Sequence, residues 1–198
     1  VLTLQLPPTL ASRWLLPRLP RLRAALPDLD LRIATNWTDA PDFSRSDVDA
    51  IVAYGSGRWP GIVKVPLMRE RLAPMCSPAM ARRLKKLCDL AQAALLHPGP
   101  ERREWKQWLA GARARGVSHA SGQVFDTLDL ALSAATRGQG VAIADTAMLA
   151  ESLADGVLAM PFARAVPSGR GYYLTCRDAR AADRLKDVQA WLLREIGA

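Results

Sequence analysis

The feature that most constrains this chain is a rhythm. Short apolar runs of strand length alternate with segments of helical period, and Pro, Gly, Asp or Asn marks the changeovers. "VLTLQL" (1–6) alternates polar and apolar residues as a strand does. "LASRWLLPRLPRLRAAL" (10–26) then sets Trp14, Leu15, Leu19, Leu22 and Leu26 near helical spacing. Proline inside an uninterrupted helix costs about 3 kcal/mol, so Pro17 predicts a short helical turn over about 10–15, then a new helix with Pro17 in its first turn. Strands are expected at "LDLRIAT" (29–35), "DVDAIVAYG" (47–55) and "GIVKVPLM" (61–68), with a further extended segment at "RERLAPMCSP" (69–78). Pro78 opens an expected helix over "AMARRLKKL" (79–87). Strands "AALLH" (93–97), "GQVFD" (122–126), "GVAIA" (140–144) and "YYLTC" (172–176) follow. They are interleaved with helices "REWKQWLA" (103–110), "TLDLALSAATRG" (127–138), "DTAMLAESLADG" (145–156) and "ARAADRLKDVQAWLLREI" (179–196).

Strand, helix, strand is the rhythm of a parallel α/β sheet. It occurs twice, and the last helix follows a strand that needs a sheet to return to. The expectation is one α/β module inserted into another, with crossing segments near 69–77 and 163–171.

The charge balance of 27 Lys and Arg against 19 Asp and Glu, a net +8, raises the question of an anionic partner. The cations are scattered, however, with short clusters only at "ARRLKK" (81–86) and "ERREWK" (101–106), and no zinc-finger spacing, RNP motif or basic heptad helix accompanies them. Cys76, Cys88 and Cys176 form an odd set without a CxxC pair, which fits a reducing compartment better than a disulfide framework. No apolar run approaches the roughly 20 residues of a membrane helix. The first residues lack the basic lead and long apolar stretch of a signal peptide and read as a strand, so the chain is expected to be one domain of something longer.

In open α/β sheets ligands bind beyond the carboxyl ends of strands. Those points hold Thr9 and Ser12, Thr35 and Asn36, Tyr54 and Gly55, Asp126 and Thr127, and Ala144 and Asp145. They offer hydroxyl, amide and backbone donors suited to a carboxylate or other small polar group. Ser12, Asp126 and Thr127 read equally well as helix caps worth about 1 kcal/mol each, and Tyr54 as packing. Enzyme signals are weak. His97 and His119 lie off metal spacing, lack neighbouring carboxylates and read as loop residues. "YGSGRWPG" and "RGQGVA" match neither a phosphate loop nor a dinucleotide fingerprint, and Gly-x-Ser-x-Gly is absent.

Taken in order, "TLASRWLLPRLPRLRAALPDLDLRI", "VDAIVAYGSGRWPGI", "LAPMCSPAMA", "FDTLDLALSAATRGQGVAIA" and "GYYLTC" resemble the effector-binding domain of LysR-type transcriptional regulators, in the branch of glycine-cleavage activators and beta-lactamase regulators. The resemblance runs over essentially the whole chain. It implies a periplasmic-binding-protein-like α/β fold, with two α/β subdomains joined by two crossover strands: residues 1–70 with 170–198, and residues 71–169. It implies a cytoplasmic, non-enzymatic sensor with no cofactor, no metal and no membrane contact, whose small-molecule effector sits between the subdomains. The effector residues it implies are Thr9, Ser12, Thr35, Asn36, Tyr54, Asp126, Thr127 and Tyr172, with Tyr173 the alternative to Tyr172. Arg13 departs from the small residue some relatives hold there. Family members carry an N-terminal winged helix-turn-helix, so DNA contact is expected from that part and not from these residues. Regulatory domains of the family pair side by side as homodimers, within a tetramer when full-length. Here that implies about 17–26 of one copy against about 127–137 of the other; Leu19, Leu22, Leu26, Leu128 and Leu132 permit this and read equally well as intramolecular core. A periplasmic solute-binding protein, and an enzyme on the same scaffold, are the alternatives.

Overall fold

The computed structural model describes residues 1–37, 40–44 and 47–197. The chain divides into two compact units, Val1–Glu70 with Gly169–Ala198, and Arg71–Ser168.

In the first unit, β1 (Leu2–Leu6), β2 (Leu31–Thr35) and β3 (Ala50–Gly55) run parallel in the order β2-β1-β3. Leu6 faces Thr35, and Gln5 faces Ile51. The next strand, β8 (Val166–Cys176), runs antiparallel to β3 and sets Tyr172 opposite Tyr54. This antiparallel pair departs from the all-parallel expectation: β8 arrives from the other module and needs no crossover helix to reach β3. Beside it lies β4 (Val63–Met75), one strand across both segments expected at 61–68 and 69–78. Gly171 lies so close to the Met68 carbonyl that no side chain fits there.

The prolines act as the sequence predicts, with one refinement. Pro8 opens α1 (Pro8–Leu10), a π-helical turn follows at Ala11–Leu15, and α2 (Leu16–Ala25) restarts with Pro17 in its first turn. Pro17 has no N–H to give and its ring crowds the carbonyl four residues back, so the turn widens and the Leu16 N–H reaches Ala11 O instead. Trp14 packs edge-on against Trp191 of α8 (Lys186–Gly197), with centroids 6.5 Å apart. The expected closing helix is in fact two: α7 (Ala179–Arg184), capped by the Asp178 carboxylate, and α8.

In the second unit, β4 continues antiparallel to β7 (Val141–Asp145), which runs parallel to β5 (Leu95–His97), itself parallel to β6 (Gln123–Val124). Two apolar clusters fill its interior. Trp105 and Trp108 of α4 (Arg103–Ala112) centre one, and Leu132 with Ala131 and Ala135 of α5 (Leu128–Thr136) centres the other. Leu132 is fully buried and so is Leu22 of α2, so of the two readings open for these leucines, pairing face or core, these two side chains take the core. Leu16 and Leu130 are the exposed leucines of these helices.

Two expected helices are shorter here, and a carboxylate explains each. The helix opened by Pro78 ends at Ala81, because Asp89 Oδ2 accepts the backbone N–H of Lys85 and Lys86 at 2.7 and 2.8 Å and starts a 3₁₀ turn at Leu87–Gln92. The segment from 145 is helical only in α6 (Ala150–Ala154), because Asp145 Oδ1 takes the N–H of Ala147 and fixes a turn. His97 is not a loop residue: it ends β5, wholly buried, with Nε2 2.8 Å from Ser121 O. Among the described residues no helix is long and apolar enough to cross a membrane.

Candidate functional site

The strand register of the first unit decides which polar residues meet. Leu6 and Thr35 end β1 and β2 side by side, and the Asn36 N–H donates to Leu6 O at 3.2 Å. Tyr54 lies three residues past Ile51 in β3, toward the end of the sheet at which β1 gives way to α1. Thr9, Thr35, Asn36 and Tyr54 therefore gather at one end of the sheet, the carboxyl ends of three parallel strands. Tyr172 joins them from the antiparallel β8.

At the centre is a buried polar cluster. The Tyr54 hydroxyl donates to Glu70 Oε2 at 2.6 Å, and both residues are about 7% exposed. The Tyr54 ring packs on Tyr172 at 5.1 Å and on Trp37 at 5.6 Å, and the Arg170 guanidinium lies 5.9 Å from its centroid. Tyr173 projects from the opposite sheet face against Trp59, so Tyr172 is the tyrosine that shares this cluster. Gly57, at φ +74°, sits where any side chain would strike the Tyr173 ring.

Thr9 is buried in the first helical turn, and Ser12, half-buried in the π turn, donates from Oγ to Thr9 O at 3.3 Å. Arg13 is half-buried beside it. Thr35 and Asn36 are exposed, and Asn36 Oδ1 accepts the Trp37 N–H at 2.9 Å. Asp126 and Thr127 belong to the second unit. Thr127 is the N-cap of α5, accepting the Leu130 N–H at 3.3 Å, and Asp126 is exposed before it.

The sequence reading missed Glu70, Trp37 and Arg170. For Glu70 a signal existed: Met68, Glu70 and Leu72 alternate onto one buried face of β4 while Arg69 and Arg71 are exposed. Nothing in the sequence foretold that Trp37 would stack on Tyr54.

No group of three or more His, Cys, Asp or Glu among the described residues could hold a metal ion. Burial pushes the Cys76 thiol up to about 11 and raises that of Cys176, the opposite of nucleophile activation. A hollow of about 160 Å³ lined by Val1, Leu2, Asp49, Ala181, Arg184 and Leu185 lies at the amino ends of the strands, away from this cluster.

The polar and aromatic cluster stands at the carboxyl ends of parallel strands, on an α/β unit built from two chain segments, which is where open α/β sheets bind ligands. Residues 1–196 match the family model of the LysR substrate binding domain, and the chain belongs to that family. It is 35% identical over 201 residues to the glycine cleavage system transcriptional activator of Escherichia coli (strain K12), covering 100% of this chain and 65% of that protein. It is 36% identical over 186 residues to the HTH-type transcriptional activator AmpR of Rhodobacter capsulatus, covering 93% of this chain and 63% of that one. The chain thus spans about two thirds or slightly less of the curated relatives it matches. Among solved structures, the effector domain of AmpR from Pseudomonas aeruginosa superposes with a TM-score of 0.82 at 33% identity, over 99% of this chain and 95% of that one. The AmpR effector binding domain of Citrobacter freundii gives 0.84 at 26% identity, over 99% and 98%. The fold is the periplasmic-binding-protein-like α/β fold of LysR effector-binding domains, and the chain is such a domain.

Proposed function

We propose that this domain senses a small polar effector through the residues at the carboxyl ends of β1, β2 and β3, and serves as the regulatory part of a longer transcription factor. The observation that carries the reading is the buried Tyr54–Glu70–Tyr172 cluster. A carboxylate and a phenol at strand ends contribute less to packing than apolar residues would, and they suit recognition. Thr9, Ser12, Thr35 and Asn36 supply hydroxyl and amide groups around it. Asp126 and Thr127 of the second unit are proposed as further effector contacts.

The effector acts by differential affinity for alternative states of the domain. A coupling of about 1–3 kcal/mol is enough to change how an attached DNA-binding part engages its site. DNA is contacted by a winged helix-turn-helix outside these residues, in the cytoplasm, and the domains pair through the surfaces of α2 and α5 that carry exposed Leu16 and Leu130. The named relatives are regulators of transcription, which weighs against the solute-binding and enzyme readings.

The test is a thermal-shift screen of the domain against amino acids, organic acids and cell-wall peptides, repeated on Thr9→Ala and Thr127→Ala. Ligand at 100 times its Kd stabilises by about 2.7 kcal/mol. The expected result is a hit whose shift shrinks in both variants, each compared with its own ligand-free baseline. A hit untouched by either substitution removes the site assignment.

A further inference from the structure

The two basic clusters at 81–86 and 101–106 are separate in the sequence and share one layer in the fold. In the second unit, Leu72, Leu95, Val141 and Ile143 point to one face of the sheet, and their strand neighbours Ala73, Leu96, Ala142 and Ala144 to the other. Leu84 and Leu87 from the first cluster's segment pack on the first face, and so do Trp105, Trp108 and Leu109 of α4. α5 packs on the second face. With the apolar side chains of both segments turned inward, Arg82, Arg83, Lys85, Lys106, Arg113 and Arg115 are left exposed. The two layers also differ in charge. Residues 78–117 carry nine Lys and Arg against three Asp and Glu, whereas residues 122–158 carry one against five. The three acids of the basic layer offset little of it. Glu104 is paired to Arg103, Asp89 holds the Lys85 and Lys86 N–H groups and feels the Lys86 charge, and Glu101 is exposed. The six exposed cations form no ion pair among the described residues.

The chemistry of the layer decides what covers it. Protein interfaces are built around buried apolar anchors, and every large apolar side chain left exposed among the described residues lies outside 78–117. A phosphate backbone asks for the reverse: several available lysines and arginines spread over a surface, with no apolar centre. The acidic layer on the opposite face of the sheet turns this side, and not the other, toward a polyanion. We propose that the α4 face of the second unit is a nucleic-acid contact, which holds the phosphate backbone of duplex DNA without reading its sequence. The contact is additional to that of the winged helix-turn-helix, and it rests on the transcription-factor reading above.

The probe is a fluorescent DNA duplex of arbitrary sequence, whose anisotropy with this chain is followed over a range of salt. Binding is expected to be weak, with log K falling linearly against log salt. A variant with Arg82→Gln, Arg83→Gln and Lys106→Gln takes charge from both clusters. A control with Lys64→Gln, Arg180→Gln and Arg194→Gln, three exposed cations of the first unit, removes the same charge elsewhere. The first variant is expected to lower the affinity about tenfold or more at low salt and to reduce the salt slope by about 2 to 3, whereas the control stays within about threefold. All six side chains are exposed, so both variants are expected to fold, and circular dichroism checks this. Amine labelling of the unaltered chain needs no variant: the duplex is expected to protect Lys85 and Lys106 from acetylation and to leave Lys64 reactive. No binding of the duplex, an equal loss in both variants, or Lys64 protected as well as Lys106 overturns the inference. So does equal or tighter binding of polyglutamate or of phosphatidylglycerol vesicles, which makes the layer a site for an acidic protein or for lipid. Self-association that the first variant abolishes overturns it too, because the acidic layer of a second copy then sits here. Duplex binding that fails while effector shifts persist overturns this inference alone. Duplex binding that holds while no ligand of the thermal-shift screen responds to Thr9→Ala or Thr127→Ala overturns the effector reading alone.

Discussion

Tyr54 combines two chemistries that a single substitution separates. Its ring joins an aromatic stack, and its hydroxyl satisfies a buried carboxylate. Tyr54→Phe keeps the ring and removes the donor to Glu70, which costs about 1–3 kcal/mol. Urea unfolding of the two proteins measures it, and an unchanged midpoint shows that Glu70 does not depend on this hydroxyl. The residue types were readable beforehand: a tyrosine ending an apolar strand, hydroxyls and an amide after the neighbouring ones. Their partners were not, because Glu70 lies 16 residues along the chain and reaches Tyr54 only through the sheet. His97 shows the same limit. Its flanking Pro98 and Gly99 suggested a loop, whereas pairing with Val124 makes it strand and buries it.

At the scale of elements, α2 and α8 are latched by charge. Arg18 donates to Trp14 O at 3.0 Å, lies 4.8 Å from the Trp14 ring and sits 3.7 Å from Glu195, to which Arg21 pairs at 2.9 Å. Arg18 and Glu195 are mostly buried, so this latch exceeds a surface pair. Glu195→Gln is expected to destabilise the domain by about 1–3 kcal/mol and to weaken the salt dependence of its stability. Unfolding at low and high salt checks both, and a loss below about 0.5 kcal/mol would make the latch an ordinary surface pair. Pro17 made the break between the first turn and α2 legible in advance. That the break takes π form follows from the helix continuing through it, which no local pattern announces.

For the molecule as a whole, the buried imidazole gives stability a pH dependence. Burial holds the pKa of His97 below its ordinary 6.5, so the folded state favours the neutral ring. The unfolded chain then binds more protons below 6.5, and stability rises with pH there. The contribution is complete above about 6.5 and is lost as pH falls from that value through the folded-state pKa. Arg102 and His119 oppose protonation, and Glu104 and the Ser121 carbonyl favour it. His97→Gln is expected to flatten the pH profile of the unfolding midpoint below pH 6.5, and an unchanged profile assigns the dependence elsewhere. The alternation of strand and helix, the proline punctuation and the polar strand ends were set by local chemistry, and the sequence by itself determined them. Strand direction, the continuity of β4 through 63–75, the burial of Leu132 and the meeting of Trp37, Tyr54, Glu70 and Tyr172 were decided only by tertiary structure. The physical reason is range: periodicity and turn chemistry act within a few residues, whereas pairing and burial join segments separated by 16 to more than 100 positions.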